Sequence, residues 1–204
     1  MATYVLEPTK IAYGLQQEPE AHSDRLTCIL GKLSHLQADM HEKKMPNPMI
    51  CGQAKSILEE LCAWNANRPQ SFYDPFGSAS QLSLPEGYDI WACHTMNQYR
   101  AARLSVNQIL SAHSSSELRQ DLEGLGSCIC ASVPYHLCTP QVNGAYSLGT
   151  YNPIRGLLLL WPLVATATAT TKVELMVGVK HWLRVMGEEM GIGQSLVLLE
   201  GLEP

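Results

Sequence analysis

Apolar residues recur every three or four positions along most of the chain, the spacing that places them on one side of an α-helix. This pattern predicts a first helix that starts near Asp24, with Ser23 or Asp24 as its cap, and ends before Pro46. A second run predicts a helix that stops at Arg68-Pro69. The apolar residues of these two helices are Leu26, Ile29, Leu30, Leu33, Leu36 and Met40, then Ala54, Ile57, Leu58, Leu61 and Trp64.

A third amphipathic segment starts near Glu86 and ends at a polar cluster over residues 113–116. We expect it to be the most central helix. Its apolar side is expected to hold Trp91, Thr95, Met96, Tyr99, Ala102, Val106, Ile109 and Leu110. Residues 69–85, which precede it, are predicted to form a long, mobile polar loop.

A fourth helix is signalled by Ser114 and Glu117, which have the spacing of a capping box. It continues to about Val133, after which Pro134 either kinks the helix or ends it. The glycines, asparagines and prolines of residues 138–153 predict a loop.

Three further helices are predicted in the last quarter of the chain, over about 154–164 and 173–189 and from about 194 onward. Between the first two, residues 165–171 alternate alanine and threonine, which fits either a half-buried strand or an irregular helix end. The prediction is therefore an all-α fold, a single irregular bundle of about six or seven helices. Residues 1–22 are expected to be an irregular amino-terminal segment and residues 23–204 one helical domain.

Composition narrows the classes of function. A net charge of -5, with 16% charged residues, offers no large basic surface for nucleic-acid phosphates, so direct DNA binding is not expected. The longest apolar run, residues 156–169, is shorter than the ~20 residues needed to cross a bilayer and contains Pro162. Without a signal-peptide pattern at the amino terminus, we expect an intracellular protein with no membrane contact.

The seven cysteines are scattered among apolar segments and lack the close repeated spacing that folds around zinc. Cys128 and Cys130, with Cys138 near His136, offer thiolate and imidazole donors for an alternative metal site. Buried free thiols are the preferred interpretation, and neither a metal nor a cofactor is expected.

Two histidines are candidates for acid–base chemistry. His94 lies on the predicted third helix near Asn97 and Tyr99, a set that suits proton transfer or anion binding if it faces a cavity. His136 follows Tyr135 beside a proline, where a hydrogen-bonded corner between helices is the commoner arrangement. A structural role is favoured for both, and no Gly-x-Ser-x-Gly motif suggests a serine hydrolase.

Several segments together resemble the carboxy-terminal regulatory region of fungal binuclear zinc-cluster transcription factors. They are GEEMGIGQSLVLLEGL over 187–202, WPLVA over 161–165, YDIW over 88–91, NQYRAAR over 97–103 and ICASVPYH over 129–136. The resemblance covers roughly residues 54–202 and implies an all-helical regulatory domain, usually found downstream of a six-cysteine zinc cluster. No such cysteine array occurs in this chain, so the family's metal-binding and DNA-contacting residues have no positions here.

The resemblance also implies that an upstream half of the regulatory region is missing and that Met96 replaces an aromatic residue. Surface that upstream helices would cover is then expected to bind a partner, either a second copy of the chain or a fuller transcription-factor relative. The nucleus is the expected compartment by analogy, and the cytoplasm is the alternative.

The leading hypothesis is a transcription-regulator-like protein that acts through a protein partner or a small effector. The resemblance implies fungal secondary metabolism as its setting. The residues that would line a ligand pocket, or otherwise fill the core, are Trp91, Met96, Tyr99, Trp161 and Trp182. The alternative is a cofactor-independent cyclase or isomerase that acts on an apolar metabolite. Its catalytic residues would be His94, Tyr99 and His136. A truncated product with little activity of its own is a third interpretation.

Overall fold

The computed structural model describes residues 8–69, 72, 76, 89–111, 117–137, 139–140, 146–147 and 153–202, with side chains from residue 21 onward outside 112–121 and 138–152. In chain order its elements are α1 (Pro8–His41), α2 (Asn47–Ala66), α3 (Ile90–Ser111), α4 (Glu117–Leu137), β1 (Thr139–Pro140), β2 (Tyr146–Ser147), α5 (Pro153–Leu157), α6 (Leu160–Ala169), α7 (Val173–Glu188) and α8 (Gly193–Glu200).

The all-α prediction is confirmed. Two residues separate α5 from α6, so counting these as one interrupted helix gives seven helices in the described part of the chain. β1 and β2 form one antiparallel pair of two residues each, which lies inside the predicted loop over 138–153. Residues 69–85, except Pro69, Phe72 and Phe76, lie outside the described residues, as does the capping position Ser114.

Helix α3 is the central helix, as predicted, because it contacts α1, α2, α4 and α6. One side of α3 packs into the amino-terminal core, formed by Leu26, Ile29, Leu33, Leu36, Ala54, Ile57, Leu61, Trp64, Met96, Tyr99, Ala102, Val106 and Leu110. Its other side packs into the carboxy-terminal core, whose buried members include Ala101, Leu104, Ile129, Val133, Leu137, Leu159, Leu163, Val179, Leu183 and Met186. The apolar spacing of each helix is thus satisfied by burial.

Trp64 of α2 contacts α1 at His22, just before the predicted start of the first helix. Its indole stacks on the His22 ring with centroids 4.3 Å apart, and its Nε1 donates a hydrogen bond to the His22 carbonyl oxygen at 2.8 Å. This contact requires ordered backbone before Ser23, and α1 in fact begins at Pro8. The predicted irregular segment and the cap at Ser23 or Asp24 are therefore wrong for residues 8–22.

The prolines have unequal effects. Pro134 lies inside α4, which continues to Leu137, so this proline does not end the helix. The single helix predicted over 154–164 is wrong, because residues 158–159 separate α5 from α6. A proline ring clashes with the carbonyl four residues earlier, and for Pro162 that is the Leu158 carbonyl, where the helix breaks. The alanine–threonine segment is the helix end rather than a strand, since α6 continues to Ala169.

The glycines of the 187–202 segment shape the corner between α7 and α8. A Cβ atom at Gly187 would overlap the Leu196 side chain, so this glycine lets α8 approach α7 closely. Gly191 has a φ of +73°, a left-handed conformation that glycine adopts without strain, and it turns the chain after α7. Close packing and a turn thus account for these glycines, in place of a phosphate-binding loop.

Candidate functional site

A fully buried polar network joins α3 to α4. The Asn97 side chain is at its centre: Nδ2 donates a hydrogen bond to Ser132 Oγ at 2.7 Å and lies 3.2 Å from His136 Nε2. Arg100, one turn further along α3, donates from a guanidinium nitrogen to Asn97 Oδ1 at 2.8 Å. All four side chains are at most 2% exposed. The network therefore ties the central helix to α4 through polar contacts between the two apolar cores.

These contacts determine which ring nitrogen of His136 carries the proton. A guanidinium can only donate, so Asn97 Oδ1 faces Arg100 and Asn97 Nδ2 faces His136. His136 Nε2 then accepts a hydrogen bond, and a neutral imidazole carries its proton on Nδ1. The Nδ1 atom is buried and has no hydrogen-bond partner among the described residues. Both ring nitrogens are thus assigned by the geometry of the network.

Burial, together with smaller effects of the nearby His94, Arg155 and Arg100, lowers the pKa of His136 to about 3. The imidazole is consequently neutral at physiological pH. Ser132 is held as well, because its hydroxyl donates to the Ile129 carbonyl oxygen at 2.7 Å while it accepts from Asn97. Neither side chain has the accessibility of a nucleophile or a general base that reacts with a substrate.

An open cleft of about 620 Å³ lies on another side of α3, between the start of that helix and α1. Its apolar lining residues include Leu26 and Leu30 of α1, Ala92 of α3 and Phe72. The other described lining residues are Ser23, Asp24, Thr27, Asp89, Trp91, His94, Thr95 and Gln98. A cleft of this volume is within the range of small-molecule sites.

Trp91 is the most prominent side chain of the cleft, because 63% of its surface is exposed. The prediction that it faces the apolar side of the third helix is wrong. Asp89 Oδ1 accepts a hydrogen bond from the Trp91 backbone nitrogen at 2.9 Å, which caps the first turn of α3 and sets the position of the indole. Exposed tryptophan beside an apolar cleft is a common feature of binding sites.

His94 lies in the same cleft, with its ring centroid 6.0 Å from that of Trp91 and the two rings at 77°. Burial lowers its pKa, so it too is neutral at physiological pH. Its Nδ1 atom is buried, and no residue in the described part of the chain hydrogen-bonds to it. His94 also acts electrostatically on His136, so the open cleft is close to the buried network.

The structure separates the remaining predicted site residues. Tyr99 belongs to the amino-terminal core, where its ring stacks on Trp64 with centroids 5.3 Å apart, so it does not join His136. Met96 is 1% exposed in the same core. Trp161 packs against both cores and Trp182 against the carboxy-terminal core only. Of the five predicted ligand-binding residues, Trp91 is the one that lines the described cleft at α1 and α3.

The sequence reasoning missed Ser132 as a network member and Asp24 as a cleft residue. The four-residue spacing of Ser132 and His136 places both on one face of α4, and the three-residue spacing of Asn97 and Arg100 does the same on α3. These two spacings were a usable signal for a polar contact between helices. The contribution of Asp24 had no such signal, because it depends on α1 extending past the expected cap.

The alternative metal site gains no support. Over the described ranges, no group of three or more histidine, cysteine or acidic side chains is placed to hold a metal ion. Burial raises the pKa of Cys130 to about 11, which disfavours the thiolate that zinc requires. Cys138 lies outside the described residues.

No described helix has the length and apolar character to span a bilayer.

Comparison of the chain with protein-family models, curated proteins and solved structures gives no match. The resemblance to fungal regulatory domains therefore stays a prediction from the sequence segments that carry it.

Proposed function

We propose that the chain is a regulatory domain that binds a small effector in the cleft between α1 and α3. The single observation that carries this proposal is Trp91, an indole 63% exposed beside a cleft of about 620 Å³ on the central helix. Because α3 contacts four other helices, a ligand at its first turn is well placed to bias the packing of the bundle. Such a ligand acts only through a difference in affinity between two states.

The regulated process is transcription, in the nucleus, through a protein partner that supplies DNA binding. This part of the proposal depends on the resemblance of the sequence to the regulatory region of fungal zinc-cluster regulators. Secondary metabolism is the proposed biological setting. The net charge of -5 supports a role for the partner in DNA contact.

The partner is a second copy or a fuller relative, and α7 offers a surface for it. Val173 and Val177, four residues apart on α7, are 71% and 61% exposed. Residues with this spacing lie on one helical face. Sedimentation velocity across micromolar concentrations tests self-association. A monomer throughout this range contradicts the second-copy version of the proposal.

The test of function is replacement of the gene by a Trp91→Ala variant, compared with deletion of the gene. We expect both strains to show the same altered transcript levels for the regulated genes. Met49→Ala, which also removes an exposed apolar side chain but lies on α2, outside both the cleft lining and the α7 surface, serves as the matched control and should leave transcripts unchanged. Unchanged transcripts in the Trp91→Ala and deletion strains would contradict regulation.

The second candidate function is a cofactor-independent isomerase or cyclase. One observation favours it: His94 projects into the cleft as a neutral imidazole, the form that accepts a proton. This version requires His94 alone, since Tyr99 and His136 are buried elsewhere. A His94→Gln strain separates the two functions. If the protein is an enzyme, this strain should accumulate one precursor while its transcripts stay unchanged. If the cleft is an effector site, glutamine keeps a polar side chain there and no precursor should accumulate.

A further inference from the structure

We infer that the α1–α3 cleft binds a small organic cation with an apolar body, an amine or a quaternary ammonium compound. This inference rests on the proposed effector site and assigns its chemical class. The charged residues among the described lining are Asp24 and Asp89, and no lysine or arginine lies among them. A cleft that exposes carboxylates, an indole and an apolar wall is complementary to a positive charge carried on a hydrocarbon group.

Asp24 is available to pair with such a charge. It is exposed on α1, and its carboxylate has no hydrogen bond or ion pair with any residue that the structure describes. Across the cleft, Asp89 is also exposed and uses Oδ1 to cap α3. Its negative charge offsets the positive end of the α3 dipole, which would otherwise repel a cation. Two carboxylates from separate elements thus face the same cleft.

Trp91 supplies the third part of the site. Tryptophan is the side chain whose ring face attracts a cation most strongly, and the attraction grows where the cation loses part of its hydration. The neighbouring His94 adds no competing charge in its neutral form, while the buried Leu26 and Ala92 and the partly buried Leu30 offer contact to the hydrocarbon part of the ligand. An anion would meet two carboxylates here and is therefore excluded on charge.

The test compares a cation with its neutral carbon isostere on the full chain. Benzyltrimethylammonium and neopentylbenzene have the same shape and differ in one charge, and phenylacetate supplies the opposite charge. We expect calorimetry at low salt to give an affinity for the cation at least about tenfold higher than for the isostere, a difference of about 1.4 kcal/mol. Added salt should reduce this preference, because it screens exposed charges.

Variants locate the effect. The double variant Asp24→Asn, Asp89→Asn should lose most of the preference for the cation and keep only the part that the Trp91 ring supplies. Asparagine at position 89 retains the capping ability of aspartate. Asp24→Asn alone, at an exposed position, covers the case in which the double variant unfolds, and should lower the preference several-fold. Asp39→Asn is the control, because it makes the same charge change on α1 about 22 Å along the helix from Asp24. This variant should leave binding unchanged.

Each contrary outcome has a definite meaning. Equal affinity of the wild type for the cation and the isostere, tighter binding of phenylacetate, or an undiminished preference in the double variant overturns the cation inference and leaves the cleft as a ligand site. No binding of any of the three compounds also overturns the inference. The proposed function is then decided separately by the transcripts of the Trp91→Ala strain.

Discussion

Two sides of α3 use the same kinds of residue for opposite purposes. On the side of α3 that faces α4, Asn97 joins His136 of α4 in a closed network whose members are fully buried and hydrogen-bonded to one another. Near α1, Trp91 and His94 border an open cleft. Both histidines were equal candidates from the sequence, and the difference between them arises from what the adjoining helix covers. Burial converts the first histidine into a structural element and leaves the second available to a ligand.

The largest effect expected from this comparison concerns Asn97. Replacement by alanine removes the acceptor of an Arg100 hydrogen bond and the donor to Ser132, leaving polar groups buried with fewer partners. Each such loss is costly, so we expect Asn97→Ala to lower the free energy of unfolding by about 3 kcal/mol. Urea unfolding followed by circular dichroism measures it. Gln98→Ala, on the adjacent cleft-lining position, is the control and should change stability by less than about 0.5 kcal/mol.

An equal, small effect of both substitutions would show that the network contributes little to stability. The comparison between the two sides of α3 would then lose its energetic basis, although the difference in exposure would remain.

A smaller, pH-dependent effect follows from His136. Its pKa is about 3 in the folded protein and near 6.5 when unfolded, so between these values the unfolded chain binds a proton that the folded chain does not. Stability from this group is complete above pH 6.5 and is lost as the pH falls, by about 1.4 kcal/mol for each pH unit down to about 3. Urea unfolding from pH 7 to pH 4.5 measures the slope.

The control for this slope is His136→Gln. The glutamine side-chain oxygen can take the place of Nε2 as acceptor from Asn97, while the titrating imidazole is removed. The variant should therefore lack the part of the acid destabilisation that belongs to His136. Identical pH slopes for the wild type and His136→Gln would mean that the ring titrates normally and that the network is open to water.

The helices were predictable from the sequence, whereas the assignment of Trp91 was not. Spacing identifies an apolar stripe because burial requires it. Helix α2 ends close to the predicted stop, and α7 lies close to both of its predicted bounds. Trp91 precedes the buried Ala102 by eleven residues, which at about 100° per residue places the two only about 20° apart around the helix. The size, apolar character and angular position of Trp91 all suggested core, and its exposure comes instead from its place in the first turn of α3.

The site itself was only partly predictable, for a different physical reason. Asn97 and His136 are 39 residues apart in sequence, and their contact depends on how α4 packs against α3 rather than on any local spacing. The cleft depends likewise on α1 continuing through Asp24, which resembles a cap in sequence. Both features result from tertiary packing, which a single sequence does not specify.

The smallest expected effect on stability is that of Trp91→Ala, and it contrasts most sharply with the effect of replacing a buried tryptophan. With 63% of its surface exposed, the indole contributes little buried area, so we expect a change of less than about 0.5 kcal/mol in the free energy of unfolding. Trp64, only 4% exposed and bonded to the His22 carbonyl, is the reference: Trp64→Ala should cost about 3–5 kcal/mol. Urea unfolding of both variants supplies the measurement. A large loss for Trp91→Ala would mean that this indole stabilises the fold, and an exposed side chain free to bind a ligand would then be the wrong description of the cleft.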